Sequence, residues 1–70
     1  MEMTYDAEVD AAYLTLVEEI HDGEVGSTER LQAAAEIYAD FDAQGRLLGF
    51  EILSASQVLR DEVLEKARRI

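Results

Sequence analysis

Four oxygen-bearing side chains between residues 40 and 51 have the spacing of a calcium-binding loop. Asp40, Asp42, Gln44 and Glu51 would occupy the first, third, fifth and twelfth loop positions, and Gly45 would occupy the sixth. Oxygen ligands at this spacing can surround a hard cation, and the glycine permits the sharp turn that the loop needs. The segment from Asp40 to Glu51 therefore predicts, as one alternative function, a calcium-binding module.

The sequence around this segment favours a different interpretation. A calcium loop of this kind needs a helix on each side, whereas residues 37–42 and 46–53 alternate between apolar and polar side chains, as strands do. Asp42 and Gly45 are also typical of a tight turn between two strands. We therefore expect a β-hairpin here, with no metal site and no cofactor.

The other residue types offer little for catalysis. His21 is the only histidine, cysteine is absent, and no glycine-rich phosphate loop occurs. A general base needs a recognisable partner, and the sequence supplies none for His21. We therefore predict that the chain is not an enzyme and has no catalytic residues.

Hydrophobic alternation predicts a small sheet over about residues 1–53. Four alternating segments would form two hairpins, 1–5 with 11–17 and 37–42 with 46–53. Tyr13 and Tyr38 are out of phase with the core positions of their strands and should lie on the opposite face. Residues 25–36 fit either a weaker strand near their start or a helix, since Ala33 to Ala35 have high helix propensity.

The C-terminal part, about residues 54–70, is predicted to be one helix. Ser54 and Gln57 fit a capping box, in which the serine oxygen accepts a backbone hydrogen bond. Apolar residues then recur on one helical face, at Leu59, Val63, Ala67 and Ile70. The predicted fold is α+β, a small antiparallel sheet of four to five strands followed by one C-terminal helix packed on one face, in a single domain.

The charge is strongly acidic and unevenly distributed. The chain has 16 acidic and 6 basic side chains, for a net charge of −10. Residues 1–59 hold 13 of the acids and two bases, Arg30 and Arg46. Such a surface repels the phosphates of nucleic acid and attracts a basic protein. No apolar run approaches the ~18 residues of a membrane span, and no signal segment is evident, so we expect a cytoplasmic protein without membrane contact.

The length of the chain favours self-association. Below about 70–80 residues one core rarely supplies more than roughly 3–5 kcal/mol, and disulfides, metals or oligomerisation usually compensate. Because the 70-residue chain has no cysteine and one histidine, disulfides are excluded and a structural metal is disfavoured. We therefore expect a homo-oligomer, most simply a dimer.

A set of residues in the first 56 positions resembles domain-of-unknown-function family 2283, a family of small bacterial proteins. The shared residues are Tyr5-Asp6, Asp10, Ala12-Tyr13-Leu14, Leu16, Asp40, Asp42, Gly45, Gly49, Glu51-Ile52-Leu53 and Ala55-Ser56. The resemblance implies a small sheet-based fold and brings no known activity, cofactor or catalytic residue. Small families of this sort are suspected antitoxins. From the acidic charge of residues 1–59, the absence of catalytic groups and the small size, we predict an acidic protein–protein interaction module, an antitoxin-like regulator of a basic partner, with calcium binding as the alternative.

Overall fold

The computed structural model describes residues 1–70 and has an α+β fold. Its elements follow in the order β1 (Glu2–Asp6), β2 (Ala11–Thr15), β3 (Ser27–Arg30), β4 (Ile37–Phe41), β5 (Leu47–Leu53), α1 (Ala55–Val58), α2 (Asp61–Lys66) and β6 (Arg68–Arg69). The strands form one sheet in the order β3-β4-β5-β2-β1-β6. Neighbouring strands are antiparallel, except that β6 runs parallel to β1.

Both predicted hairpins are present, β1 with β2 and β4 with β5. In the second, Oδ1 of Asp42 accepts hydrogen bonds from the backbone N–H groups of Gln44 and Arg46, each at 2.9 Å. Gly45 has a φ of 80°, a value that side-chain-bearing residues disfavour. The chemistry of the turn therefore explains why this hairpin could be recognised from sequence.

The ambiguous segment 25–36 contains a strand and no helix. β3 pairs antiparallel with β4, and the Leu31 N–H donates to the carbonyl oxygen of Ile37 at 2.8 Å. The alanine-rich residues after Leu31 thus form the connection between two paired strands. Pairing in the sheet outweighs the local helix propensity of these residues.

The C-terminal region differs from the prediction in two respects. The predicted single helix is divided into α1 and α2, because Leu59 and Arg60 have extended backbone with ψ near 145° and 149°. The chain then forms β6. The sheet therefore has six strands, where four or five were predicted, and it is mixed rather than antiparallel. A two-residue strand is too short for alternation to reveal it.

The predicted capping box at the start of α1 is wrong. Ser54 lies in the left-handed region, with φ 52° and ψ 46°, and its side chain makes no capping hydrogen bond. Ala55, the first helical residue, instead donates its N–H to the carbonyl oxygen of Asp10 at 2.9 Å. The first backbone N–H group of α1 therefore has its hydrogen-bond acceptor in the turn between β1 and β2.

The strand register assigns most apolar side chains of the sheet to one face, here called the inner face. A first row across this face consists of Tyr5, Ala12, Ile52 and Ile37, and a second row consists of Met3, Leu14, Phe50 and Ala39. Both helices pack on this face, where Ala55, Leu64 and Ala67 join Tyr5, Ala12 and Ile52 in the buried core. The core is small, since eight apolar residues are buried and no large side chain among them is completely enclosed.

Candidate interaction surface

The outer face of the sheet, opposite the helices, carries a row of aromatic and acidic side chains. Tyr13 on β2, Glu51 on β5 and Tyr38 on β4 are direct neighbours in the strand register. We call these three residues the outer-face row. Glu51 is exposed and the two tyrosines are half-buried. The prediction that Tyr13 and Tyr38 lie away from the core face is therefore confirmed.

Asp40 lies beside this row and is held by two hydroxyl groups. The Tyr13 hydroxyl donates to Oδ2 at 2.6 Å, and the Thr28 hydroxyl donates to Oδ1 at 2.5 Å. Burial, together with the hydrogen bond to Asp40, raises the pKa of Tyr13 above its usual value. The Tyr13 hydroxyl therefore remains a proton donor at physiological pH, and the Asp40 carboxylate is fixed in place.

Gly49 on β5 makes this hydrogen bond possible. A Cβ atom at this position would lie 2.7 Å from Cε1 of Tyr13 and 2.5 Å from the carbonyl oxygen of Leu14. Real side chains essentially never tolerate such distances, because both contacts are well inside van der Waals separation. The absence of a side chain at Gly49 thus lets the Tyr13 ring lie across the central strand.

Most of the carboxylates have no cationic partner. Three of the 16 acidic side chains are in ion pairs with arginine, which join Glu2 to Arg68, Asp42 to Arg46 and Glu62 to Arg60. Glu51 and Asp40 are among the thirteen without one. Two basic side chains are in register with the outer-face row, at its two ends. Arg30, opposite Tyr38 on the edge strand β3, makes no ion pair, whereas Arg68 on β6, opposite Thr4, is paired with Glu2. The centre of the outer face is therefore negatively charged.

The structure does not gather the residues of the calcium hypothesis into one site. Asp40 and Glu51 lie on strands, whereas Asp42 and Gln44 lie in the turn between them. Both oxygens of Asp42 already accept hydrogen bonds from Arg46, through its backbone N–H at 2.9 Å and its Nε at 3.1 Å. No group of three His, Cys, Asp or Glu side chains is arranged to hold a metal ion. Calcium binding stays a prediction that titration can test.

The two features that could serve catalysis, His21 and the one groove of the surface, lie far apart in the fold. His21 is exposed in the loop between β2 and β3, with Nδ1 3.7 Å from Oε1 of Glu19. One concavity is present, an open groove of about 500 Å³ between residues 34–36 and residues 53–58, and Glu36 is the only titratable residue in its lining. The groove and His21 lie at opposite ends of the strands. No catalytic group is therefore assembled around His21, and the absence of enzymatic activity stays a prediction.

Sequence reasoning missed a hydrogen-bond network that joins the turn between β1 and β2 to α1. Oδ1 of Asp10 accepts hydrogen bonds from the Tyr5 hydroxyl at 2.6 Å and the Ser56 N–H at 3.0 Å. Oδ2 of Asp10 accepts one from the Ser56 hydroxyl at 2.7 Å. These bonds lower the pKa of Asp10, and the bond to Asp10 raises the pKa of Tyr5. We call this set, Tyr5, Asp10 and Ser56, the Asp10 network.

The residues that carry the family resemblance have structural roles in this fold. They supply the Asp10 network, the contact of Tyr13 with Asp40 across Gly49, and the turn formed by Asp42 and Gly45. The pattern of shared residues was thus the signal from which the two networks could have been inferred.

One family's sequence profile matches residues 2–56 of the chain, and its description is "Protein of unknown function (DUF2283)". No curated protein and no solved structure gives a significant match. The matched residues include β1 to β5 and the start of α1, while α2 and β6 lie outside them. None of the helices is long and apolar enough to cross a membrane.

Proposed function

Since the chain belongs to the DUF2283 family, whose description assigns no function, we propose a function from the chain's own surface. The protein is a small acidic protein–protein interaction module, an antitoxin-like regulator that binds a basic protein through the outer face of its sheet. The observation that supports this proposal is the outer-face row, in which an unpaired Glu51 stands between Tyr13 and Tyr38. The proposed role is one of binding and includes no catalytic step.

The chemistry of the row fits a partner that presents lysine or arginine. Tyrosine is enriched at the energetic centres of protein interfaces, because its ring gives a large contact area and its hydroxyl keeps a polar contact. A guanidinium or ammonium group over such a ring is attracted by the ring face, and an adjacent carboxylate adds a charge-assisted hydrogen bond. Tyr13, Glu51 and Tyr38 bring these groups together on paired strands, whose positions are well defined.

A second acidic region, residues 18–24, is expected to contribute in a different way. This exposed loop holds Glu18, Glu19, Asp22 and Glu24 but no aromatic residue. Exposed charges of this kind accelerate the encounter with a basic partner more than they strengthen the final complex. The loop is therefore a natural control for the outer face.

Nuclear magnetic resonance with a model peptide tests the proposal. The probe is a short peptide that alternates arginine with tryptophan, added to the isotope-labelled protein at low salt. We expect the largest shift changes at Tyr13, Tyr38 and Glu51, because the peptide would contact the outer face. Shift changes that are spread evenly over all acidic residues, or that are confined to residues 18–24, would contradict the proposal.

Two single-charge variants separate the outer face from general acidity. Glu51→Gln and Glu18→Gln each remove one negative charge from an exposed position. We expect Glu51→Gln to weaken peptide binding by about 1 kcal/mol, as for a partly screened charge contact, and Glu18→Gln to leave the affinity nearly unchanged. Equal losses in the two variants would show that the interaction depends on net charge alone.

A further inference from the structure

The helices cover the first row of the inner face more completely than the second. In the first row Tyr5, Ala12 and Ile52 are buried and Ile37 is half-buried. In the second row Ala39 is buried, but Met3, Leu14 and Phe50 are half-buried. The apolar surface continues beyond that row, where the Leu16 N–H donates to the carbonyl oxygen of Leu48 at 2.9 Å and Leu16 is again half-buried. We call Met3, Leu14, Leu16 and Phe50 the open inner patch.

The overall dimensions show that the chain exposes more surface than a compact monomer of its size. The chain exposes 5028 Å² of surface, and its radius of gyration is 12.1 Å. A compact monomer of 7.8 kDa would expose about 4,400 Å², and a 70-residue domain would have a radius of about 11 Å. The excess surface, about 600 Å², is close to the ~800 Å² that each partner buries in a standard interface.

The placement of charge indicates what covers the patch. Among the residues that the strand register places in the second row, Glu29 on the edge strand β3 is the only charged one. Glu51, Asp40 and the acidic loop lie on the outer face or at the end of the sheet. Two copies that meet by their inner faces would therefore bury apolar surface against apolar surface and direct their acidic faces away from each other.

We propose that the open inner patch is the interface of a symmetric homodimer. A two-fold interface needs a patch that is complementary to itself, and an uncharged apolar surface satisfies this condition. A basic partner, in contrast, would find no carboxylate among Met3, Leu14, Leu16 and Phe50. The proposal does not depend on the proposed function, because it uses the opposite face of the sheet and leaves the outer-face row accessible.

Sedimentation velocity on a pair of variants tests this interface. Met3→Lys and Thr4→Lys add the same charge at adjacent positions of β1, but the two side chains point to opposite faces. We expect the wild-type chain to be dimeric at micromolar concentration. Met3→Lys should weaken the dimer by about tenfold or more, because a two-fold interface would bury two unpaired charges. Thr4→Lys should remain dimeric.

Two measurements on the wild-type chain make the test independent of the folding of any variant. The thermal midpoint should rise with protein concentration, since dimerisation stabilises the folded state by mass action. Added salt should strengthen the dimer, because it screens the repulsion between two chains of net charge −10. A wild-type chain that stays monomeric up to high micromolar concentration would overturn the proposal. Equal weakening by both lysine variants, or weakening by Thr4→Lys alone, would also overturn it.

Discussion

Tyr13 and Asp40 are hydrogen-bonded across an intervening strand. Tyr13 lies on β2 and Asp40 on β4, with β5 between them, and the hydroxyl oxygen of Tyr13 is 2.6 Å from Oδ2 of Asp40. Gly49 is the residue of β5 that the ring crosses. The Tyr13 side chain thus connects three neighbouring strands, β2, β5 and β4, on the outer face of the sheet.

The first prediction concerns this crossing. Gly49→Ala should lower the free energy of unfolding by roughly 2 kcal/mol or more, because the methyl group would lie 2.5 Å from the backbone oxygen of Leu14 and displace the Tyr13 ring. Chemical denaturation measures this loss. Gly45→Ala is the control, since its methyl group would meet open space and cost only the strain of a positive φ, about 1 kcal/mol. A smaller loss in Gly49→Ala than in Gly45→Ala would contradict this explanation.

The second prediction concerns stability at acid pH. The hydrogen bonds from Tyr5 and Ser56 hold the pKa of Asp10 below its usual 3.8, so the folded protein binds this proton less tightly than the unfolded chain. The stabilisation is therefore complete above the unfolded pKa and is lost as the pH falls through the lower folded pKa. Thermal midpoints measured across the acid range should show this loss in the wild-type chain.

Two variants isolate the contribution of Asp10. The pKa values of Glu2 and Asp42 are also lowered in the folded protein, so both residues contribute stability that is lost as the pH falls. Asp10→Asn removes the Asp10 component, whereas Glu8→Gln removes a charge from an exposed neighbour whose side chain has no hydrogen-bond partner. The pH profile of Asp10→Asn should be flatter than that of Glu8→Gln. Identical profiles would show that the Asp10 network does not contribute to acid sensitivity.

The third prediction is a stabilising substitution. Ser54 is exposed, has a φ of 52°, and makes no capping hydrogen bond with its side chain. Ser54→Gly should raise the free energy of unfolding by about 0.5–1 kcal/mol, because glycine adopts the left-handed region without strain. Ser56→Gly is the contrasting variant and should destabilise the protein, since it removes the hydroxyl bonded to Asp10. A loss of stability in Ser54→Gly would contradict the prediction.

Ser54 also shows where reasoning from the sequence succeeded and where it failed. The hairpins could be predicted because alternation and turn chemistry, such as that of Asp42 and Gly45, are local properties of the chain. The start of α1 could not, because the N–H groups of Ala55 and Ser56 are satisfied by Asp10, a residue distant in sequence. In a capping box, side chains of the helix itself accept hydrogen bonds from its first backbone N–H groups. In α1 these N–H groups donate to Asp10 instead, so no capping box is needed.

The candidate surface was predictable to a similar extent. The phase of Tyr13 and Tyr38 placed both residues on the face away from the core, and the register confirms this. That Glu51 stands between them depends on the pairing of β2 with β5, two strands that are far apart in the chain. No local pattern contains that information.

The fourth prediction concerns calcium. Titration calorimetry should detect no site tighter than millimolar, because the oxygens of Asp40 and Asp42 already accept hydrogen bonds from protein donors and no cluster of ligands is formed. A micromolar site that Glu51→Gln abolishes and Glu18→Gln preserves would instead support a calcium-binding module through Asp40, Asp42, Gln44 and Glu51.

The strand order has a consequence for the kinetics of folding. β1 with β2, β3 with β4, and β4 with β5 are pairings between consecutive strands, but β2 meets β5 only after the chain closes a loop of residues 16–46. Closing this loop costs entropy before the paired strands gain their contacts, and proteins with many such long-range contacts fold more slowly than proteins with local ones. Tyr13 with Asp40 and Asp10 with Ser56 both bridge the boundary between β2 and β5. Both contacts therefore depend on this long-range pairing, and we expect Gly49→Ala and Asp10→Asn to slow folding as well as to lower stability.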